Sequence, residues 1–103
     1  MFARLREQGV RVRVGWLWCS MVIDPTARQA HVGYAIGRRC GGAVERNLMR
    51  RRLRACVAQY GDVLPAGWYL VGVSPRSVQP TWNEIQGSVA RLVSAVGDKA
   101  ARP

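Results

Sequence analysis

Three groups of residues in this 103-residue chain have the chemistry to act on a partner. The first is a run of guanidinium groups. Arg38, Arg39, Arg46, Arg50, Arg51, Arg52 and Arg54 are seven of the sixteen basic residues, and their segment holds one acid, Glu45. A guanidinium is a planar fork that grips phosphate through two hydrogen bonds and stacks on flat rings. The second is the glycine-rich stretch Gly37-Arg38-Arg39-Cys40-Gly41-Gly42, which leads into a helix candidate. Its backbone N–H groups suit an anion nest at a helix start. It lacks the Lys-Ser/Thr pair of a nucleotide P-loop and reads as a phosphate contact of another kind. The third is aromatic: Trp16, Trp18, Trp68 and Trp82, of which Trp16 and Trp18 are candidates for stacking unpaired bases.

A catalytic set of the chain's own is not visible. The carboxylates are Glu7, Asp24, Glu45, Asp62, Glu84 and Asp98, and no two lie closer than 14 residues. His31 is the only histidine and sits in a strand candidate, where a packed or surface role is the ordinary one. No Ser/His/Asp or Cys/His arrangement is suggested. Cys19, Cys40 and Cys56 form no CxxC pair and are odd in number, which argues against a disulfide framework or zinc site. They read as small apolar residues of a reducing compartment. The expectation is no catalytic residue, no metal ligand and no small-molecule cofactor.

The elements that must position these residues follow from periodicity. Phe2 to Gln8 is a short helix candidate ending at Gly9. Val10 to Ile23 is strand-like, and Gly15 splits it in two. Trp16, Trp18, Ser20 and Val22 should share one face, with Leu17, Cys19, Met21 and Ile23 on the other. Asp24-Pro25 opens a turn, and Ala30 to Ile36 is a further strand. Ala43 to Tyr60 is a helix candidate stopped by Gly61, and Trp68 to Val73 is a last strand. Thr81-Trp82-Asn83-Glu84 has the S/T-x-x-E spacing of a capping box. Behind it Trp82, Ile85, Val89, Leu92, Val93 and Val96 form one apolar stripe. Gly97 should end that helix and leave Asp98 to Pro103 as a frayed tail. The order is α-β-β-β-α-β-α, an α/β (α+β) fold in one domain over residues 1–103, with a single sheet packed with helices.

On the Ala43–Tyr60 helix, Met49, Leu53, Cys56, Val57 and Tyr60 fall in one apolar sector at about 100° per residue. Asn47, Arg50, Arg51 and Arg54 recur on an adjoining sector, with Arg46 at its edge; Leu48 and Arg52 point elsewhere. Like charges one turn apart cost about 0.2–0.5 kcal/mol per pair, and no glutamate is interleaved to offset this. A polyphosphate partner would. The competing readings are a solvated basic face, a membrane-surface helix and a helix for a DNA major groove. The second conflicts with the use of the apolar sector as core, and the third lacks a helix-turn-helix partner. The whole chain points the same way: sixteen Lys+Arg against six Asp+Glu give a formal charge of +10, a field that attracts polyanions.

The stretch Gly41-Gly42-Ala43-Val44-Glu45-Arg46-Asn47-Leu48-Met49-Arg50-Arg51-Arg52-Leu53-Arg54 resembles the signature of the bacterial ribonuclease P protein family. The preceding His31-Val32-Gly33-Tyr34-Ala35-Ile36-Gly37-Arg38-Arg39 resembles that family's strand and basic pair. Two positions depart from the pattern. Leu48 stands where the family's Arg-Asn-Arg triplet ends. Phe2 matches the first of two phenylalanines in the family's first helix, but Arg6 stands at the second, so the chain is expected to lack the beginning of that helix.

The resemblance implies an α/β (α+β) sandwich with a left-handed β-α-β crossover, against the right-handed default. It implies a ribonucleoprotein endoribonuclease whose RNA subunit does the chemistry, with Mg²⁺ bound mainly by that RNA. The partners would be ribonuclease P RNA and precursor tRNA; the residues themselves, with no apolar run near the ~18 residues of a membrane span and cysteines suited to a reducing compartment, give the expectation of a cytoplasmic chain with no membrane partner. Arg38, Arg39, Arg46, Asn47, Arg50, Arg51 and Arg54 would bind RNA, and Phe2, Trp16 and Trp18 the 5′ leader of the precursor. The alternative is a non-catalytic RNA-binding module of ribosomal or RNA-chaperone type; a DNA-binding regulator is a third class.

Overall fold

In the computed structural model, described over residues 9–76 and 78–101, the first strand pair is set by a tight turn. β1 (Val10–Val14) and β2 (Leu17–Ile23) are antiparallel, with Val14 opposite Leu17. The two-residue connection needs a left-handed backbone, and Gly15 supplies it at φ +59. The expected helix over Phe2–Gln8 lies outside the described residues.

After β2, the Asp24 Oδ1 accepts hydrogen bonds from the Thr26 N–H at 3.0 Å and the Thr26 hydroxyl at 2.6 Å. This side-chain turn brings the chain to β3 (Ala30–Ala35). A single turn of 3₁₀ helix (Arg38–Cys40) then leads into α1 (Ala43–Ala58), β4 (Gly67–Val73) and α2 (Trp82–Ala101). The four strands form one mixed sheet in the order β1-β2-β4-β3. β4 runs antiparallel to β2 and parallel to β3, so β3, α1 and β4 make a β-α-β unit with α1 as its crossover.

One sheet face is core. Leu17, Cys19 and Met21 of β2 lie opposite Val73, Val71 and Tyr69 of β4, all buried. Met49, Leu53, Cys56 and Val57 of α1, and Ile85, Val89, Leu92 and Val96 of α2, complete the same cluster. The apolar sector read on α1 is therefore the side it buries, with Tyr60 half-buried beyond its end. Cys19 and Cys56 are buried, Cys40 is half-buried, and all three thiols are free. Burial pushes the Cys19 thiol up to about 12, which keeps it protonated and inert.

Three expectations are corrected. α1 ends at Ala58, not Tyr60: Gln59 and Tyr60 donate to the carbonyls of Cys56 and Val57, a tightening to i→i−3 spacing. Gly97 does not stop α2. The helix runs on to Ala101 because Ala100 still packs on the core, so Asp98 to Ala101 are helical rather than frayed. Trp82 is 39% exposed, since it is the first residue of α2 and lies ahead of the turn where the stripe meets the sheet.

Candidate RNA interface

α1 turns its remaining surface outward. Arg51 and Arg54 are exposed with Asn47, while Arg46 and Arg50 are half-buried. The Asn47 side-chain carbonyl accepts a hydrogen bond from the Arg50 guanidinium at 2.9 Å, so a neutral residue orients that cation without discharging it. The Arg54 guanidinium lies 5.8 Å from the Tyr34 ring centre. The Arg46 Nε is buried without a hydrogen-bond partner. None of the seven arginines from Arg38 to Arg54 has an ion pair among the described residues. The acid within the segment, Glu45, sits in the first turn of α1, where a negative charge favours the helix dipole. It accepts a hydrogen bond from Gln79 at 3.3 Å, not from an arginine.

The basic turn before α1 is anchored. The Gln79 side chain also donates to the Cys40 carbonyl at 3.2 Å, and the Cys40 thiol reaches the Val73 carbonyl at 3.5 Å. Arg38 and Arg39 are thereby held exposed ahead of the helix. The structure thus brings Arg38, Arg39, Arg46, Asn47, Arg50, Arg51 and Arg54 onto one turn-helix unit. Leu48 and Arg52, read as pointing elsewhere, are brought together: both line a small depression with Glu45, Met49 and Gln79. Their i, i+4 spacing puts them on one side of the helix.

The aromatic candidates separate. Trp18 belongs to the sheet face opposite the core. Its indole lies on Gly72 of β4, where a Cβ atom would come within 1.9 Å of the ring. The Arg11 guanidinium sits over the ring, 4.6 Å from its centre. Trp68 stacks on His31 across the β4–β3 pair, with ring centres 4.3 Å apart and an angle of 17°. Trp16 does not share this face as expected. It occupies the turn before β2, packs against the core cluster, and has Arg76 5.4 Å from its ring. Phe2 lies outside the described residues. Arg11, Trp68 and His31 were not singled out from sequence as contacts of this face. The signal was there in the Arg-Val-Arg-Val alternation of residues 11–14, which places Arg11 and Arg13 opposite Ser20 and Trp18.

Comparison with known proteins settles the kinship. The family model for ribonuclease P matches residues 1–97. This chain belongs to the ribonuclease P protein family. A ribonuclease P protein component from Chloroflexus aggregans is 32% identical over 95 residues, which is 89% of this chain and 69% of that one. The protein component from Roseiflexus castenholzii is 30% identical over 99 residues, covering 93% and 80%. Among solved structures, a ribonuclease P protein of Staphylococcus aureus superposes with a TM-score of 0.82 at 19% identity, covering 90% and 85%. That of Thermotoga maritima gives 0.73 at 17% identity, covering 89% and 87%. The fold described above is the one these ribonuclease P proteins share. Membership makes the chain a protein component of an endoribonuclease complex, and the family's work is RNA binding and tRNA processing.

Proposed function

We propose that this chain is the protein subunit of ribonuclease P. In this reading it binds ribonuclease P RNA through α1 and the turn before it, and supports hydrolytic removal of the 5′ leader from precursor tRNA. One observation carries the reading: a row of arginines, none neutralised by an acid of the described chain, is held outward by a helix whose opposite side is locked into the core. RNA phosphates would relieve the repulsion along that row and release counterions as they bind.

The protein contributes placement and charge. Arg38, Arg39, Arg46, Asn47, Arg50, Arg51 and Arg54 grip the backbone and irregular loops of the RNA. The added positive charge lowers the repulsion between catalytic RNA and substrate, and with it the Mg²⁺ required. In this reading the Mg²⁺ is bound mainly by the RNA, and the protein's own residues carry no step through a metal. Trp18 is the better-placed leader contact, a flat ring on an open sheet face with a cation over it. Trp16 is the weaker, because it packs on the core. The three free thiols fit the cytoplasm, and among the described residues no helix is long and apolar enough to cross a membrane.

Reconstitution tests this. The ribonuclease P RNA of the same organism, given precursor tRNA at low Mg²⁺, should show multiple-turnover leader removal only when this protein is added. A protein that binds the RNA without stimulating cleavage would be a plain RNA-binding module instead.

A further inference from the structure

Beside the arginine row lies a groove that the reading above leaves unused. Its volume is about 270 Å³, and its walls are Ala30, Val32 and Tyr34 of β3, Val57 and Ala58 of α1, and Leu64 of the following loop. It exists for two reasons. β3 is an edge strand, so no further strand covers its outer side. The small residues Ala30, Ala58 and Gly61 stand where larger side chains would close it. The one charged residue in the lining is Arg54, whose guanidinium faces the half-buried Tyr34 ring at 5.8 Å. Asp62, next to Gly61, is exposed and is not part of the lining.

We propose that this groove takes one unpaired nucleobase of the RNA partner, with Arg54 against the phosphate of the same nucleotide. The proposal rests on α1 meeting RNA. The groove has apolar walls and an aromatic ring for the base, and a cation for the phosphate. Single-stranded RNA is recognised by this pairing of stacking with charge. An apolar side chain from a protein partner would fill the walls but leave Arg54 without a counter-charge. Arg50, one turn before Arg54, extends the positive rim toward the backbone of the adjoining nucleotides.

The test uses the whole protein and the ribonuclease P RNA of the same organism. Ala58→Trp fills the groove from an exposed position and leaves every arginine in place. Tyr34→Leu removes the ring and keeps apolar bulk. Each should weaken RNA binding roughly tenfold, the scale of one lost stacked base, without changing the slope of log affinity on log salt. Ultraviolet cross-linking of the unmodified protein, followed by trypsin and mass spectrometry, should find a nucleotide on Tyr34 in the peptide Gln29–Arg38. Wild-type affinity in both variants, or no adduct on Tyr34, overturns the proposal; the cross-link decides it even where a variant fails to fold. The Arg50→Ala/Arg51→Ala protein separates the two readings. If it binds weakly while the groove variants bind normally, the groove is idle and the helix reading stands. If it also binds normally, the helix reading falls and takes the groove with it.

Discussion

The two α-helices among the described residues solve the same packing problem and treat their outer surfaces differently. Each buries one strip against the same sheet face. α2 settles its own affairs: its outer surface carries two acids, Glu84 and Asp98, and two bases, Arg91 and Lys99. Its first turn is closed by a reciprocal capping box, in which the Thr81 N–H donates to the Glu84 carboxylate at 3.0 Å and the Glu84 N–H to the Thr81 hydroxyl at 3.2 Å. α1 carries five arginines against Glu45, and its N-cap residue, Gly42, makes no side-chain cap. Hydrogen-bonding and charge capacity satisfied internally on α2 is left open on α1. The contrast teaches that α1 is stabilised by its core side and carries uncompensated charge on the other, which is what the proposed RNA interface needs.

The comparison can be broken at several points. The largest effect should come from the strip itself. Leu53 is 0% exposed, and Leu53→Ala should cost about 2–5 kcal/mol of unfolding free energy in urea titrations. A change under about 1 kcal/mol would mean that α1 is not held by its buried side. Next, Arg50→Ala/Arg51→Ala should leave the fold intact by circular dichroism but weaken RNA binding at least roughly thirtyfold and reduce the salt slope by about 1.4–1.8, as expected for two lost phosphate contacts. Unaltered affinity and slope would take α1 out of the interface. The same pair of changes on α2, Arg91→Ala/Lys99→Ala, should alter RNA affinity by less than about threefold under the same salt; a loss matching that of α1 would erase the distinction between the helices.

Smaller effects sharpen it. Thr81→Ala should lower stability by about 1 kcal/mol, as for other lost caps. The backbone N–H and then the hydroxyl of Thr81 hold the Glu84 carboxyl below its ordinary value of 4.5. That contribution is therefore present at neutral pH and is lost as pH falls through the lowered value. Thermal melts should show wild type losing stability relative to Glu84→Gln over that acid range, and parallel curves would remove the box from the account. Last, Gly42→Ser should raise stability by a few tenths of a kcal/mol, since a Cβ atom added at position 42 would meet no atom within 4 Å. No gain would mean that α1 is already capped by other means.

Much of this was legible in the sequence where one residue's surroundings are its own near neighbours. The strip and the arginine row of α1 follow from spacing along one helix, the capping box from four consecutive residues, and the break between β1 and β2 from Gly15. The family signature stood in residues 41–54. What was not legible depends on residues far apart in the chain. Nothing in the alternation of β2 says that β4 lies beside it, so the seat of Trp18 on Gly72 could not be read. Trp16 and Trp18 have the same parity, but Trp16 sits in a turn, where parity stops fixing direction. Gly97 looked like a stop because its helix propensity is poor; core contacts on either side outweigh that cost of about 1 kcal/mol. The groove beside Tyr34 needed β3 to be at an edge, which only the strand order reveals.

The seat of Trp18 on Gly72 has a consequence for how the open sheet face works as a surface. With no side chain at position 72, the indole rests directly on the peptide backbone, and its height above the strands is fixed by van der Waals thickness alone. Any L-residue there would have to lever the ring upward, off its seat on the strand. The face is thus a low shelf with a built-in gauge: the clearance left for whatever lies across it is set by a missing methyl group on one strand, not by the ring that would do the touching.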